Sequence, residues 1–235
     1  QGSAHAGRPL AHELLPWPAR SSRHQHPRSE RLVEDRPIVP LHDPVELAEQ
    51  MSVLDILSGG RLRLGVGVGR NYFEYQATGT DYHTRGKRIE EQIDLMRALW
   101  VNDWVSFKGQ WHEAENVSLS MPPVQRPIPV WMGGNSAPVL DRVGRLADGW
   151  ITTSRTDGIE QQIATIKDAA EAAGRDSDAV GIEGRSEIAG KTPDEWHEAV
   201  TLWEGLGASY LNVRGSGGPA EELELARRFM KEIKA

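Results

Sequence analysis

The stretch Pro129 to Trp150, P-V-W-M-G-G-N-S-A-P-V-L-D-R-V-G-R-L-A-D-G-W, runs without a break from strand through glycine turn and helix to the start of a second strand. Pro129 to Met132 is a short apolar run suited to a buried strand. Gly133-Gly134 lets the backbone turn tightly, and Asn135-Ser136 can cap the helix that follows. Such a helix presents free N–H groups at its positive end, and two residues without Cβ atoms allow an anion close to the backbone. An ordinary strand-to-helix turn with a good cap accounts for the same residues equally well.

Outward from this stretch the alternation repeats. Leu32 to Leu41 is apolar, and Asp43-Pro44 opens a helix carrying Val45, Leu47, Ala48, Met51, Leu54, Ile56 and Leu57 until Ser58-Gly59-Gly60 stops it. Arg61 to Val68 reads as a strand ending in G-V-G-V-G. A loop from Arg70 to Tyr82 then leads to a long helix from about Thr84 to Trp100. Asp103 to Gln125 breaks the rhythm with a hairpin turning at Lys108-Gly109. Then come strands near Gly149–Thr152, Val180–Glu183 and Tyr210–Val213, with helices over Ile159–Ala173, Pro193–Leu206 and Pro219–Ile233. Six strands, each followed by a helix, must pair in parallel through right-handed crossovers, in an open doubly wound sheet or in part of a barrel.

Residues 1–30 differ, holding His5, His12, His24 and His26 and four prolines with no sustained periodicity. They read as an irregular, poorly ordered segment. The histidines lack the helical i, i+4 spacing of a metal site, so no metal is expected. The balance of 27 Lys+Arg against 34 Asp+Glu gives a net charge of −7, which argues against a nucleic-acid surface. There is no cysteine, which fits a reducing cytoplasm and removes thiolate chemistry. No apolar run approaches the ~20 residues that span a bilayer, and no secretory leader is visible.

Several linked runs resemble the bacterial luciferase-like monooxygenase family. They are L-A-E-Q-M-S-V-L-D-I-L-S-G-G-R-L-R-L-G-V-G-V-G-R-N, R-G-K-R-I-E-E-Q-I, P-V-Q-R-P-I-P-V-W-M-G-G-N-S and R-L-A-D-G-W, in matching order from Leu32 to the C-terminus. The runs E-G-R-S-E-I-A-G-K-T-P-D-E-W and L-G-A-S-Y-L-N-V-R are most similar to the branch that uses the deazaflavin coenzyme F420. The resemblance implies a TIM-barrel-like (β/α)8 domain over residues 31–235 whose first two βα units have no counterpart in residues 1–30. It also implies a site at the carboxyl ends of the strands. Gly133, Gly134, Asn135 and Ser136 would then hold the cofactor phosphate, while Gly67, Val68, Gly69, Arg70 and Asn71 lie against the ring or its side chain. Thr152 and Thr153 would face a small-molecule substrate. The implied activity is hydride transfer between F420 and an organic substrate. FMN-dependent monooxygenation and an inactive truncated relative are the alternatives; a homodimer is a further expectation, and a partner chain or part of the N-terminal segment could cover the missing barrel wall.

Several residues admit more than one role. His42, just after the first strand, lies on the catalytic rim, but a polar helix-start residue beside the Asp43 cap accounts for it as well. His83 and Arg85 read as solvent-exposed residues at a helix start. Arg70 suits a phosphate or acidic tail, or a surface ion pair. Asp148 reads as an acceptor of backbone donors at a strand entrance, and Trp104, Phe107 and Trp111 as local packing.

Overall fold

A computed structural model describes the backbone of residues 14–16 and 32–33, together with residues 37–153 and 156–234. In chain order the elements are β1 (Leu14–Pro16), β2 (Leu32–Val33), α1 (Pro44–Ser58), β3 (Leu62–Val66), α2 (Tyr72–Thr78), α3 (Arg85–Val101), β4 (Val105–Lys108) and β5 (Glu113–Val117). They continue with β6 (Val130–Gly133), α4 (Ala137–Leu146), β7 (Gly149–Ile151), α5 (Ile159–Ala172), β8 (Gly181–Glu187), α6 (Pro193–Gly205), β9 (Tyr210–Arg214) and α7 (Pro219–Ile233). These group into two compact units, one of residues 31–152 and 157–181, the other of residues 1–30, 153–156 and 182–235.

The first unit is built on parallel strands in the order β2, β3, β6, β7. All five residues of β3 are buried, as a parallel strand covered on both faces requires. This includes Arg63 at 1% exposure, whose guanidinium lies 4.4 Å from the Trp131 ring centroid. Helix α1 starts as its sequence dictates: Asp43 accepts from the amides of Val45 and Glu46 at 2.9 and 3.0 Å, Pro44 sits in the first turn, and Gly59 ends the helix at φ 66°. Its apolar face, Leu47, Ala48 and Met51, is buried, and the indole of Trp100 on α3 donates to Ala48 O at 3.1 Å. The buried Asp55 carboxylate accepts from Gln125 N at 2.8 Å and Gln125 Nε2 at 2.7 Å, tying α1 to the segment that leads into β6.

Of the strand expected over Leu32–Leu41, the described residues show Leu32–Val33 paired as β2, Ile38 in a single bridge to Gly67, and Val39–Leu41 as a 3-10 turn. Pro40 has no N–H to offer a ladder, and His42 follows this 3-10 turn rather than a strand end. The expected loop Arg70–Tyr82 contains α2, capped by Asn71, whose Oδ1 accepts from Phe73 N at 3.1 Å, and closed by Gly79 at φ 69°.

The β4–β5 hairpin is anchored by one carboxylate. Glu91 on α3 accepts from the amides of Gln110, Trp111 and His112 at 2.6, 2.9 and 2.8 Å and from His112 Nδ1 at 2.8 Å. A Cβ at Gly109 would overlap the Glu91 carboxyl group, so the turn needs glycine there. Burial pushes the Glu91 carboxyl up, but the amides of Trp111 and Gln110 and the His112 side chain outweigh it and hold the net value below the ordinary glutamate range. A depressed folded-state value means the anchor is fully present above the ordinary glutamate range and is lost as pH falls through the lower folded value. The amide shifts of Gln110, Trp111 and His112 should therefore titrate together with a midpoint below that of a free glutamate. The same titration should be absent in Glu91→Gln. Trp111 and Phe107 are half-buried in this hairpin, whereas Trp104 is exposed and does not pack as expected.

In the second unit β8 and β9 are parallel, with Glu183 opposite Tyr210 and Glu187 opposite Arg214. A Cβ at Gly184 would overlap the buried Trp203 of α6. A capping box between Thr192 and Glu195 starts α6, and Trp196 meets Phe229 of α7 edge-on at 5.6 Å. Within residues 1–30, expected to be irregular throughout, the backbone of β1 pairs antiparallel to β9. The expectations placed on His5, His12, His24 and His26 lie outside the described residues. Among the described residues no helix is long and apolar enough to cross a membrane.

Candidate cofactor site at the strand carboxyl ends

Strand register brings three of the sequence-predicted segments to one edge. Val66 lies opposite Met132, and Gly133 opposite Ile151, so residues 67–71, residues 133–136 and Thr152 all leave the sheet at its carboxyl end.

At the glycine turn, Gly134 has φ 123°, a conformation rare for any residue with a Cβ. Its carbonyl accepts from the buried Trp150 indole at 2.7 Å, which fixes the bend from below. Ser136 is the residue before α4, with extended φ −76° and ψ 149°, but its side chain makes no capping bond, contrary to the expected Asn135-Ser136 cap. Only its carbonyl is used, by Val139 N at 2.8 Å and Leu140 N at 3.0 Å. Pro138 has no N–H, Asn135 and Ser136 are exposed, and no described group accepts from the amides of Ser136 and Ala137. The uncapped end thus keeps donors and the helix dipole open to an incoming acceptor.

The 67–71 segment is held by its carbonyls. Gly67 O accepts from Val39 N at 3.2 Å, Val68 O accepts from the Tyr75 hydroxyl, and Arg70 O accepts from the Tyr82 hydroxyl at 3.3 Å. Gly67 N donates to Pro37 O at 3.2 Å. Gly69 adopts φ 62°, and a Cβ there would overlap Ile38. A Cβ at Gly67 would meet nothing within 4 Å, so space is open above it. Arg70 is exposed and its guanidinium pairs with no described carboxylate, whereas the Asn71 side chain is committed to capping α2.

Around this segment lies an aromatic group that the sequence pattern does not reveal. Tyr82 meets Tyr72 at 5.7 Å and Tyr75 at 5.3 Å, both edge-on, and the Arg85 guanidinium lies 3.7 Å over the Tyr82 ring and donates to Tyr82 O at 2.7 Å. Arg85 is therefore half-buried and packed, not a solvent-exposed helix start, while His83 is exposed as expected. Burial raises the Tyr75 hydroxyl to about 12, with the Arg85 charge opposing. The available signal was the spacing Asn71 to Gly79, a cap residue and a stop residue bracketing Y-F-E-Y.

His42 is exposed, three residues beyond the Val39 that pairs with Gly67, and its carbonyl accepts from the buried Gln92 Nε2 at 2.9 Å. Thr152 is buried at 1% exposure, and Thr153, next along the chain, is half-buried. Asp148 has the expected structural role, its Oδ2 accepting from Val130 N at 2.8 Å and from Arg97 at 2.7 Å.

The chain is 31% identical over 169 residues to the F420-dependent hydroxymycolic acid dehydrogenase of Mycobacterium tuberculosis, an alignment covering 68% of this chain and 46% of that protein. It is 34% identical over 139 residues to the F420-dependent glucose-6-phosphate dehydrogenase of Amycolatopsis mediterranei, covering 56% of this chain and 41% of that one. The chain thus spans about half the length of the curated relatives it matches. Among solved structures, an F420-dependent secondary alcohol dehydrogenase in complex with an F420-acetone adduct superposes with a TM-score of 0.57 at 23% identity, covering 69% of this chain and 50% of that one. The monooxygenase RslO1 of Streptomyces bottropensis superposes at 0.60 and 20% identity, covering 88% and 63%. These likenesses place the fold in the α/β, TIM-barrel-like class, with the barrel incomplete among the described residues. The luciferase-like monooxygenase family model matches residues 37–232, and the chain belongs to that family.

Proposed function

We propose that this chain is an oxidoreductase that moves hydride between coenzyme F420 and a small organic substrate. The observation that carries the reading is the uncapped start of α4 behind Gly134, one strand away from the open glycine segment at Gly67. A phosphate ester fits the first of these, because N–H donors and a helix dipole meet it where no Cβ stands. A flat ring fits the second, because the backbone of residues 67–71 is pinned and uncovered at Gly67. Bound there, the deazaflavin ring supplies the hydride chemistry, and the chain supplies position, electrostatics and water exclusion. Arg70 is assigned to the acidic tail, and Thr152 and Thr153 to the substrate side. The names of the two dehydrogenases above support F420, and FMN, which offers the same combination of ring and phosphate, is the alternative.

A fluorescence titration of the purified chain with F420 and FMN in parallel tests the reading. Saturable F420 binding tighter than FMN is expected. Tighter FMN binding would move the assignment to flavin chemistry, and binding of neither would identify a relative without cofactor function.

A further inference from the structure

The proposed ring-bearing segment is shaped by groups that lie outside it. Residues 67–71 form no ladder beyond the single Ile38 bridge, yet three of their carbonyls are taken: Gly67 O by Val39 N, Val68 O by the Tyr75 hydroxyl and Arg70 O by the Tyr82 hydroxyl. Two of these three donors are phenols on the stretch that follows, α2 and the 3-10 turn Tyr82–Thr84. With the carbonyls turned toward these donors, the amides of Val68, Gly69 and Arg70 donate to no described residue and are the polar groups that the segment can offer to a ligand.

The phenols are themselves fixed. Tyr75 is fully buried and meets the Tyr82 ring edge-on at 5.3 Å, while Tyr82 is clamped beneath the Arg85 guanidinium. A short loop with Gly69 at φ 62° has little stiffness of its own. Its shape therefore depends on these side-chain bonds.

We infer that Tyr75, assisted by Tyr82, is a positioning residue for the cofactor ring: its hydroxyl holds the Val68 carbonyl and so aims the amides of residues 68–70 at the ring edge. Tyr75 touches the segment, not the ring. The inference rests on the cofactor assignment proposed above. Because burial keeps the phenol protonated well above neutral pH, it remains a donor throughout the working range.

Tyr75→Phe removes one oxygen and keeps the ring packing. The test compares wild type, Tyr75→Phe and Tyr82→Phe by fluorescence titration with a matched pair of ligands. The pair is F420 and its deazaflavin chromophore without the phosphate tail, or FMN and riboflavin if wild type prefers the flavin. Tyr75→Phe is expected to weaken both members of the pair by the same factor, about 3- to 10-fold, with far-UV circular dichroism unchanged. Tyr82→Phe, which loses the longer bond, is expected to do the same to a smaller extent. It provides the reading if Tyr75→Phe does not fold. An equal factor on both ligands places the effect at the ring, since damage at the phosphate turn would spare the phosphate-free ligand. Unchanged affinity in both variants, or loss confined to the phosphate-bearing ligand, would overturn the positioning role while leaving the cofactor assignment standing. Failure of wild type to bind either pair would overturn the assignment and the positioning role with it.

Discussion

Gly134→Val is expected to weaken binding of the phosphate-bearing coenzyme by roughly 100-fold while leaving the phosphate-free ring compound within about 3-fold of wild type. The backbone reason is φ 123°, where a β-branched residue is strained by about 1–3 kcal/mol. The packing reason is that a Cβ there stands 3.1 Å from Val139 Cγ1, at the first turn of α4, and further branches have no room on that side. The turn cannot swing away freely, because the Trp150 indole holds the Gly134 carbonyl from below. Side-chain atoms then occupy the approach to the helix start, and charge-assisted bonds worth about 1.5–3 kcal/mol each are lost. Paired fluorescence titrations of wild type and variant read the result. Equal affinity for the phosphate-bearing ligand would remove residues 133–136 from the site.

Gly144→Leu is expected to lower the melting temperature by about 6–12 °C, corresponding to roughly 3 kcal/mol for a chain of this size. Gly144 sits on α4 where α5 crosses it, and a Cβ added there would overlap Ile166 O, Ala169 Cβ and Ala170 N. Two of these three are backbone atoms of α5, so no rotamer change relieves the clash and the helices must part. Parting them also pulls on the Arg175 guanidinium, which donates to Ala147 O at 2.8 Å. The control is Gly205→Ala at the end of α6, where a Cβ meets nothing within 4 Å and helix propensity favours alanine by up to about 1 kcal/mol. Thermal unfolding followed by circular dichroism measures both. A Gly144→Leu protein as stable as Gly205→Ala would show that the α4–α5 crossing is not as described.

The parts of the fold legible in the sequence are those where one local rule acts alone. Asp43-Pro44 and Gly59 bracket α1 because capping and left-handed backbone are decided within a few residues. The run Val130–Gly133, the helix after it and Gly149–Ile151 follow from apolar runs and glycine in the same way. Local rules fail where distant groups decide. Leu32 to Leu41 looks apolar enough for one strand, but at its end, among the described residues, Ile38 makes a single bridge to Gly67 and Val39–Leu41 is a 3-10 turn. Helix α2 is seven residues long, too short to show a period, and only its Asn71 and Gly79 caps betray it.

At the candidate site the glycines were legible, because residue type alone decides whether a strand ends in backbone that a ligand can approach. The groups that hold those glycines in place were not. Tyr75 and Tyr82 reach back 7 and 12 residues to the carbonyls they hold, and Glu91 reaches 19 to 21 residues forward to the hairpin. Nothing in the local pattern distinguishes such side chains from surface tyrosine or glutamate. Ser136 shows the converse: its residue type favours capping, yet its hydroxyl is not used, and that leaves the helix start open.

In the proposed function, amides at the start of α4 receive the cofactor phosphate and the glycine segment beside it receives the ring. Backbone amide shifts of the isotope-labelled chain, followed by NMR as F420 is added, test this most directly. The expected result is that the largest changes fall on Gly134, Asn135, Ser136 and Ala137 together with Val68, Gly69 and Arg70, saturating at one affinity. Saturable binding that leaves these amides unmoved and shifts others instead would contradict the claim.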